Sequence, residues 1–265
     1  MTANYIKRIE IDSLWSGHHH VVWELQPDVN ILSGVNGVGK STILNRIITA
    51  LKSPSHDHGV RFAFDMAGAD GVRFDVIRSF DRPLLHGDLL ERVPEANLIT
   101  ELDWQLYQLQ RRYLDYQVNV SNRILALFTS GAAEAQAQAQ EMAMAKTLFF
   151  DIVDDLFKET GKTINRTANE IVLEQYGEAL RPYQLSSGEK QMLAILLTVL
   201  VQDRQHTTLF MDEPEISLHI EWQQRLIELI RTLNPNAQVI LTTHSPALVM
   251  NGWTDAVTDV SDIVS

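Results

Sequence analysis

A glycine-rich stretch between two apolar segments constrains the fold of this chain more than any other feature. Residues 34–41 read Gly-Val-Asn-Gly-Val-Gly-Lys-Ser, a Gly-x4-Gly-Lys-Ser pattern. An apolar run at 29–32 precedes the pattern, and apolar residues recur at helical spacing over 43–51. A strand, a glycine-rich loop and a helix in this order are what a phosphate-binding loop requires. The sequence therefore predicts an α/β fold built around this loop.

The residue types in this loop suit the triphosphate of ATP. Its glycines let consecutive backbone N–H groups turn toward one anion, and the following helix adds the positive end of its dipole. Lys40 would reach the β and γ phosphates, and Ser41 would ligate Mg²⁺. The alternative is a glycine-rich turn that only caps the helix. The predicted nucleotide-binding residues of the loop are Asn36, Gly37, Val38, Gly39, Lys40, Ser41 and Thr42.

Length and charge limit the classes of protein to which the chain can belong. Its 265 residues allow one large α/β domain or two small ones. With 22 Lys and Arg against 34 Asp and Glu, the net charge of −12 opposes unaided DNA binding. The absence of cysteine excludes disulfides and thiolate metal sites. The chain opens without a signal-like segment, and its longest apolar stretch is too short to cross a bilayer, so we expect a cytoplasmic protein without membrane contact.

Strand patterns and helical patterns occupy different parts of the chain. Strand signals at 5–11, 21–25, 60–64 and 72–80 predict a β-rich N-terminal lobe. Helical periodicity then dominates from about 84 to 162, which predicts an insertion of two or three helices. One apolar face of this insertion comprises Leu102, Leu106, Leu109, Tyr113, Tyr116 and Val120, and Ile124, Leu125 and Phe128 are expected to continue it.

A second motif, Leu-Ser-Ser-Gly-Glu at 185–189, opens an apolar helix that runs to about residue 201. Small residues and hydroxyls at a helix N-terminus can bind an anion, because unpaired N–H groups and the helix dipole both face the ligand. The candidate anion-binding residues are Ser186, Ser187 and Gly188. The alternative is an ordinary N-cap, with Ser186 or Ser187 as the capping residue.

Two further apolar strands end in residues that could carry chemistry. The strand at 208–212 ends in Asp212 and Glu213, which strand alternation would place on opposite sides. Asp212 would ligate Mg²⁺ and Glu213 would polarise the attacking water. His244 follows the strand at 239–243 and could hydrogen-bond the γ-phosphate. For each of these residues the alternative is a structural position at a strand end.

The order of these motifs resembles that of the ABC-type ATPase superfamily, and within it the SMC, RecF and OLD-like branch. Asn36 in the glycine loop, Asp-Glu-Pro-Glu-Ile-Ser-Leu-His at 212–219 and Thr-His-Ser-Pro at 243–246 indicate this branch. The resemblance covers about 1–81 and 165–265. It implies a P-loop NTPase fold, namely one ABC-type ATPase head over 1–265, with the β-rich N-terminal lobe and a helical insertion at 84–162.

The resemblance also implies a shared catalytic site. Loop and strand-end residues of one subunit would bind ATP and Mg²⁺, and the Leu-Ser-Ser-Gly-Glu helix of a second subunit would contact the γ-phosphate. ATP would then close a head-to-tail homodimer, and hydrolysis would open it. Two departures stand out. The usual glutamine is absent after the strand near residue 80, and Ser79 or Asp81 occupies the neighbourhood where it is expected. His219 stands where transporter subunits usually carry Asp.

These implications favour an ATPase that controls a separate effector. Too few residues follow His244 to fold a nuclease domain, so a nuclease or toxin is expected as a partner. Nucleic acid would then be contacted through that partner. The expected setting of such a system is bacterial phage defence. One alternative is a RecF-type or SMC-type ATPase that clamps DNA, which the acidic charge disfavours. Another is a transporter subunit, which the two departures disfavour.

Overall fold

The computed structural model describes residues 1–14, 17, 19–53, 59–78, 98–131 and 134–265. Backbone contacts divide the chain into two units. The first unit comprises Met1–Ser79, Arg204–Arg231 and Pro235–Ser265, and the second comprises Phe80–Asp203 and Thr232–Asn234. The second unit extends beyond the predicted insertion, because it also holds the helix that follows the Leu-Ser-Ser-Gly-Glu motif. The single domain over 1–265 and the insertion limits at 84–162 stay predictions.

Strands outnumber helices in the first part of the described chain, and strands and helices alternate from residue 187 onward. The strands are β1 (Thr2–Ala3), β2 (Ile6–Leu14), β3 (His19–Glu24), β4 (Val29–Ser33), β5 (Val60–Phe64), β6 (Gly71–Val72), β7 (Phe74–Arg78), β8 (Thr163–Ile164), β9 (Leu173–Gln175), β10 (Glu178–Leu180), β11 (Thr207–Asp212), β12 (Ala237–Thr242) and β13 (Val257–Asp259). The helices are α1 (Lys40–Lys52), α2 (Glu101–Ser130), α3 (Ala135–Phe157), α4 (Ser187–Val201), α5 (Ile220–Leu233), α6 (Pro246–Val249) and α7 (Val260–Ile263). None of these described helices has an apolar stretch sufficient to traverse a bilayer.

A parallel sheet of five strands organises the first unit. Its strand order is β13-β4-β12-β11-β7, and every neighbouring pair is parallel. The three central strands β4, β12 and β11 are buried almost throughout, as their near-continuous apolar sequences require in a sheet covered on both faces. Because they are neighbours and parallel, the residues that follow them all lie at one edge of the sheet, where ligands bind in open α/β sheets.

Three of the predicted lobe strands form a separate antiparallel sheet with the order β3-β2-β5. The assignment of 72–80 to this lobe is wrong, because β7 pairs in parallel with β11 in the five-stranded sheet. The inward residues of β2, among them Ile6, Ile9 and Ile11, are fully buried. They belong to the same hydrophobic core as Ile43 and Ile47 of α1. This packing anchors the helix that carries Lys40, so the lobe contributes to the rigidity of the glycine loop.

Helices α2, α3 and α4 form most of the described second unit, and all three pack against one another. Helix α2 starts at a capping box in which Thr100 and Asp103 satisfy each other's backbone, and it stops at Gly131 in the left-handed region. The predicted apolar face of α2 is buried up to Val120. Its continuation is wrong, because Leu125 and Phe128 are 63% and 56% exposed. Periodicity predicts which residues share a face, but not whether another element covers that face.

Candidate functional site

The glycine loop has the backbone that its sequence predicts. Gly34, Gly37 and Gly39 have φ values of 150°, 81° and 102°, all in the region that L side chains rarely adopt. At Gly34 an added Cβ would also lie 2.9 Å from Cγ1 of Val38. The chain therefore turns back on itself directly after β4, and α1 begins at Lys40.

Lys40 is 3% exposed and its ammonium group is held at the mouth of the loop. Its Nζ donates to the carbonyl oxygens of Gly34 at 3.0 Å and Val35 at 3.3 Å. The same Nζ lies 2.6 Å from Nε2 of His244, which reaches the loop from the end of β12. A triphosphate in the loop would meet this charge directly and would compete with the two carbonyls for it.

Ser41 and Asp212 form a pair of oxygen donors beside Lys40. The Ser41 hydroxyl donates to Oδ1 of Asp212 at 2.9 Å, and the Thr242 hydroxyl donates to the same oxygen at 2.6 Å. Hydroxyl and carboxylate oxygens are the ligands that Mg²⁺ prefers. The residues present therefore fit the magnesium ion that accompanies ATP.

Glu213 leaves the sheet in an unusual conformation. Strand β11 ends at Asp212, and Glu213 has a φ of 47°, in the left-handed region. Strand alternation therefore does not extend to Glu213, and the placement of the two carboxylates on opposite sides stays a prediction. The amide of Glu213 donates to the carbonyl and the hydroxyl of Thr242, both at 3.1 Å, which holds this conformation. Such strain is common at active sites.

His244 stands between a cation and an anion. Its Nε2 lies 2.6 Å from Nζ of Lys40 and 3.0 Å from Oε1 of Glu213. An unprotonated Nε2 accepts a hydrogen bond from Lys40, and a protonated Nε2 donates one to Glu213. The imidazole can thus exchange partners by moving one proton, which suits a residue that contacts phosphate and attacking water.

The predicted residues of the first unit come together around one cavity of about 310 Å³. Val38 and Asp212 are not among its lining residues. Val38 lies close to Gly34, and Asp212 accepts a hydrogen bond from Ser41, which lines the cavity. Their roles in nucleotide binding and catalysis stay predictions. The residues that line the cavity are Asn36, Gly37, Gly39, Lys40, Ser41, Thr42, Glu213 and His244.

Glu215 is a site residue to which sequence reasoning assigned no role. It is 8% exposed, and its Oε1 accepts from the Thr243 hydroxyl at 2.5 Å and from the amides of His244 at 2.9 Å and Ser245 at 3.3 Å. One buried carboxylate oxygen therefore shapes the turn that presents His244. The sequence feature that could have indicated this role is a third acidic residue two positions after Glu213, in a segment that otherwise resembles a surface turn.

The Ser186, Ser187 and Gly188 motif lies in the second unit, at the start of α4. Ser186 is the N-cap, and it forms a capping box with Glu189. The capping prediction is thus confirmed for Ser186, and the anion-binding role of the three residues stays a prediction. The alternative cap, Ser187, is the first helical residue.

Glu189 and Lys190, in the first turn of α4, contact the start of α2 and the segment just after α3. Oε1 of Glu189 accepts from Lys162 at 2.8 Å and from Thr160 at 2.9 Å, just beyond the end of α3. Nζ of Lys190 donates at 2.7 Å to Asp103, in the first turn of α2. Both contacts are nearly buried. A change in the spacing of α2 and α3 would therefore be felt at the start of α4.

Replacing Glu189 by glutamine is expected to remove a pH-dependent part of the stability. Burial alone would raise the pKa of Glu189, but hydrogen bonds from Lys162, Ser186 and Thr160 outweigh it, so the pKa lies below its ordinary value of 4.5. The charge therefore stabilises the fold above about pH 4.5, and this contribution is lost as the pH falls through the lowered pKa. Urea denaturation should show a difference between wild type and Glu189→Gln that is constant at neutral pH and shrinks on acidification. A difference that does not change with pH would contradict the assignment.

Comparison with known proteins agrees with this geometry. A family model described as "AAA domain, putative AbiEii toxin, Type IV TA system" matches residues 51–251. The chain belongs to this family. The match begins after the glycine loop, so the loop and strands β2 and β3 of the lobe are assigned by their own sequence and structure.

Individual relatives and a solved structure extend this result. Septu protein PtuA of Bacillus thuringiensis is 26% identical in an alignment 297 residues long, which covers 92% of this chain and 72% of PtuA. Retron Vc95 probable ATPase of Vibrio cholerae serotype O1 biovar El Tor is 25% identical over 112 residues, which cover 38% of this chain and only 22% of that protein. An SMC head crystallised with the C-winged helix domain of ScpA superposes with a TM-score of 0.55 at 14% identity, over 93% of this chain and 92% of the head. The predicted ABC-type fold of the SMC, RecF and OLD-like branch is confirmed.

Proposed function

We propose that this chain is a Mg²⁺-dependent ATPase that closes as a head-to-tail dimer on ATP and thereby controls a separate effector. One observation carries the catalytic part of the proposal. Lys40, the Ser41 and Asp212 pair, and the Glu213 and His244 pair converge at the ends of three adjacent parallel strands. ATPase activity in general is supported by the family and by the named relatives.

Each residue of this set has a distinct task. Lys40 binds the β and γ phosphates, and the backbone of the glycine loop surrounds them. Ser41 and Asp212 hold Mg²⁺, which when bound neutralises charge on the phosphates. Glu213 would orient the attacking water and draw its proton away, and His244, whose Nε2 lies 3.0 Å from Oε1 of Glu213, would hydrogen-bond the γ-phosphate.

The dimer proposal follows from the origin of the residues around the nucleotide. The described residues that line the nucleotide cavity come from the glycine loop, the start of α1 and the segments that follow β11 and β12, and no second helix N-terminus is among them. Ser186, Ser187 and Gly188 supply such an N-terminus at the start of α4. We infer that they act on the nucleotide bound by a second copy, as the resemblance to ABC-type ATPases implies. The contacts of Glu189 and Lys190 with the ends of α2 and α3 would then transmit dimer closure to a partner bound to these two helices.

The effector part of the proposal rests on the relatives. The relatives include a Septu protein and a retron ATPase, and the description of the family names a toxin system. Together they suggest antiviral defence with a partner nuclease or toxin. Nucleic acid would be contacted through that partner. The net charge of −12 gives less support to direct clamping of DNA, the main alternative.

Co-purification in defined nucleotide states tests this proposal. The chain is expressed with the products of its neighbouring genes, as wild type and as Glu213→Gln, which should bind ATP but hydrolyse it about 100-fold to 10,000-fold more slowly. With ATP, the variant is expected to sediment as a dimer and to change the amount of partner retained, because ATP holds the heads closed. A variant that remains monomeric, or a partner that is never recovered, would contradict the proposal.

A further inference from the structure

The groove between α2 and α3 contains a cavity of about 370 Å³, within the range of roughly 300–1,000 Å³ that is typical of small-molecule sites. The apolar part of its wall includes Val120 and Ile124 on α2 and Met142 and Phe150 on α3, and nearly half of the lining residues are polar. The cavity lies entirely within the second unit, so it is distinct from the nucleotide cavity.

A lysine occupies a position of this groove where the pattern calls for an apolar residue. Helix α3 buries Ala135, Ala139, Phe149 and Val153. These positions are separated by steps of three or four residues, or by combinations of such steps, and therefore share one side of the helix. Lys146 falls on the same row, four residues before Phe150. Antiparallel helix pairs usually fill such a row with apolar side chains, because it forms the seam between the helices.

The contacts of Lys146 leave its charge largely uncompensated. Its Nζ donates to Oε1 of Gln117 at 2.6 Å and lies 5.6 Å and 5.4 Å from the ring centroids of Tyr113 and Phe150. Among the described residues no carboxylate lies within ion-pair distance of this amine. Burial lowers the pKa of Lys146, which is the expected effect of an apolar surrounding on a cation.

The second cation in the wall is in a different situation. Nη2 of Arg166 donates to Asp151 at 2.8 Å and to Asp154 at 2.7 Å. Two carboxylates therefore neutralise Arg166, whereas the partners of the Lys146 amine in the described part of the chain are an amide oxygen and two ring faces. An anion that enters the cavity would find Lys146 as its partner.

We propose that this cavity binds a small organic anion, in which a flat or aliphatic body packs against the apolar walls and a carboxylate or phosphate pairs with Lys146. The assignment needs no assumption about ATP hydrolysis, since it depends on this groove alone. It can therefore fail while the proposed ATPase function stands, and the reverse also holds.

The probe that tests it is 2-naphthoate, titrated into the full chain and followed by ligand-observed NMR. Binding is expected to be about tenfold weaker for Lys146→Met, which keeps most of the side-chain volume but removes the charge. Naphthalene-2-carboxamide, with the same body and no charge, should bind wild type as weakly as 2-naphthoate binds the variant. Lys158→Met is the matched control, because Lys158 lies just past the same helix, is exposed and pairs with Asp155.

Three outcomes would overturn the proposal. One is wild-type affinity weaker than about 1 mM. Another is equal binding of the carboxylate and the carboxamide, which would show an apolar groove without anion recognition. The third is a Lys146→Met protein that melts at a higher temperature and still binds 2-naphthoate unchanged, since Lys146 would then serve only the register of the helix pair. An unchanged far-UV circular dichroism spectrum for each variant establishes that the helices are intact.

Discussion

Lys40→Ala is expected to lower ATP turnover by at least about 100-fold to 1,000-fold, the loss typical of removing one preorganised charge-stabilising donor. The side chain is buried in the loop. Its amine lies within hydrogen-bonding distance of the loop carbonyls and of His244. Removing it takes away the positive charge that would offset the γ-phosphate. The measurement is steady-state phosphate release with excess ATP and Mg²⁺.

A matched substitution separates this effect from general damage to the helix. Lys52 lies in the last turn of the same helix and is exposed, so Lys52→Ala should retain wild-type turnover. Thermal melting of both variants establishes that they are folded. If Lys40→Ala hydrolyses ATP at the wild-type rate, the site is not where the glycine loop places it.

The sequence was sufficient to predict the parts of the site that depend on local chemistry. The glycine loop, the strand before it and α1 lie where the pattern predicts them, because glycine spacing and apolar periodicity act over a few residues. Asp212 and His244 were found for a similar reason, since each follows a strand whose apolar sequence is unmistakable. Their meeting at one sheet edge required only that the strands be parallel neighbours.

Other features depend on contacts between distant residues and could not be predicted. The left-handed backbone of Glu213 is held by Thr242 on the next strand, and no pattern around Glu213 indicates this. Glu215 acquires its task only when β11 and β12 lie side by side. The predicted stand-ins for the usual glutamine, Ser79 and Asp81, lie outside the described residues, as does all of 84–97.

The central claim is that one triphosphate is shared between two copies of the chain. Each copy would supply a glycine loop to one nucleotide and a Ser186, Ser187 and Gly188 motif to the other. A variant with a defective loop and a variant with a defective motif should then be inactive separately but should complement each other. Ser187→Glu is suited to the second defect, because a carboxylate in the first turn favours the helix and repels the triphosphate.

The decisive measurement is therefore the turnover of an equimolar mixture of Lys40→Ala and Ser187→Glu. Random pairing makes half of the dimers mixed, and each mixed dimer has one complete site of two, so the mixture should recover about a quarter of wild-type turnover. Each variant alone should remain near background. A mixture that is no more active than its components would contradict the shared site and would mean that one copy does not complete the other.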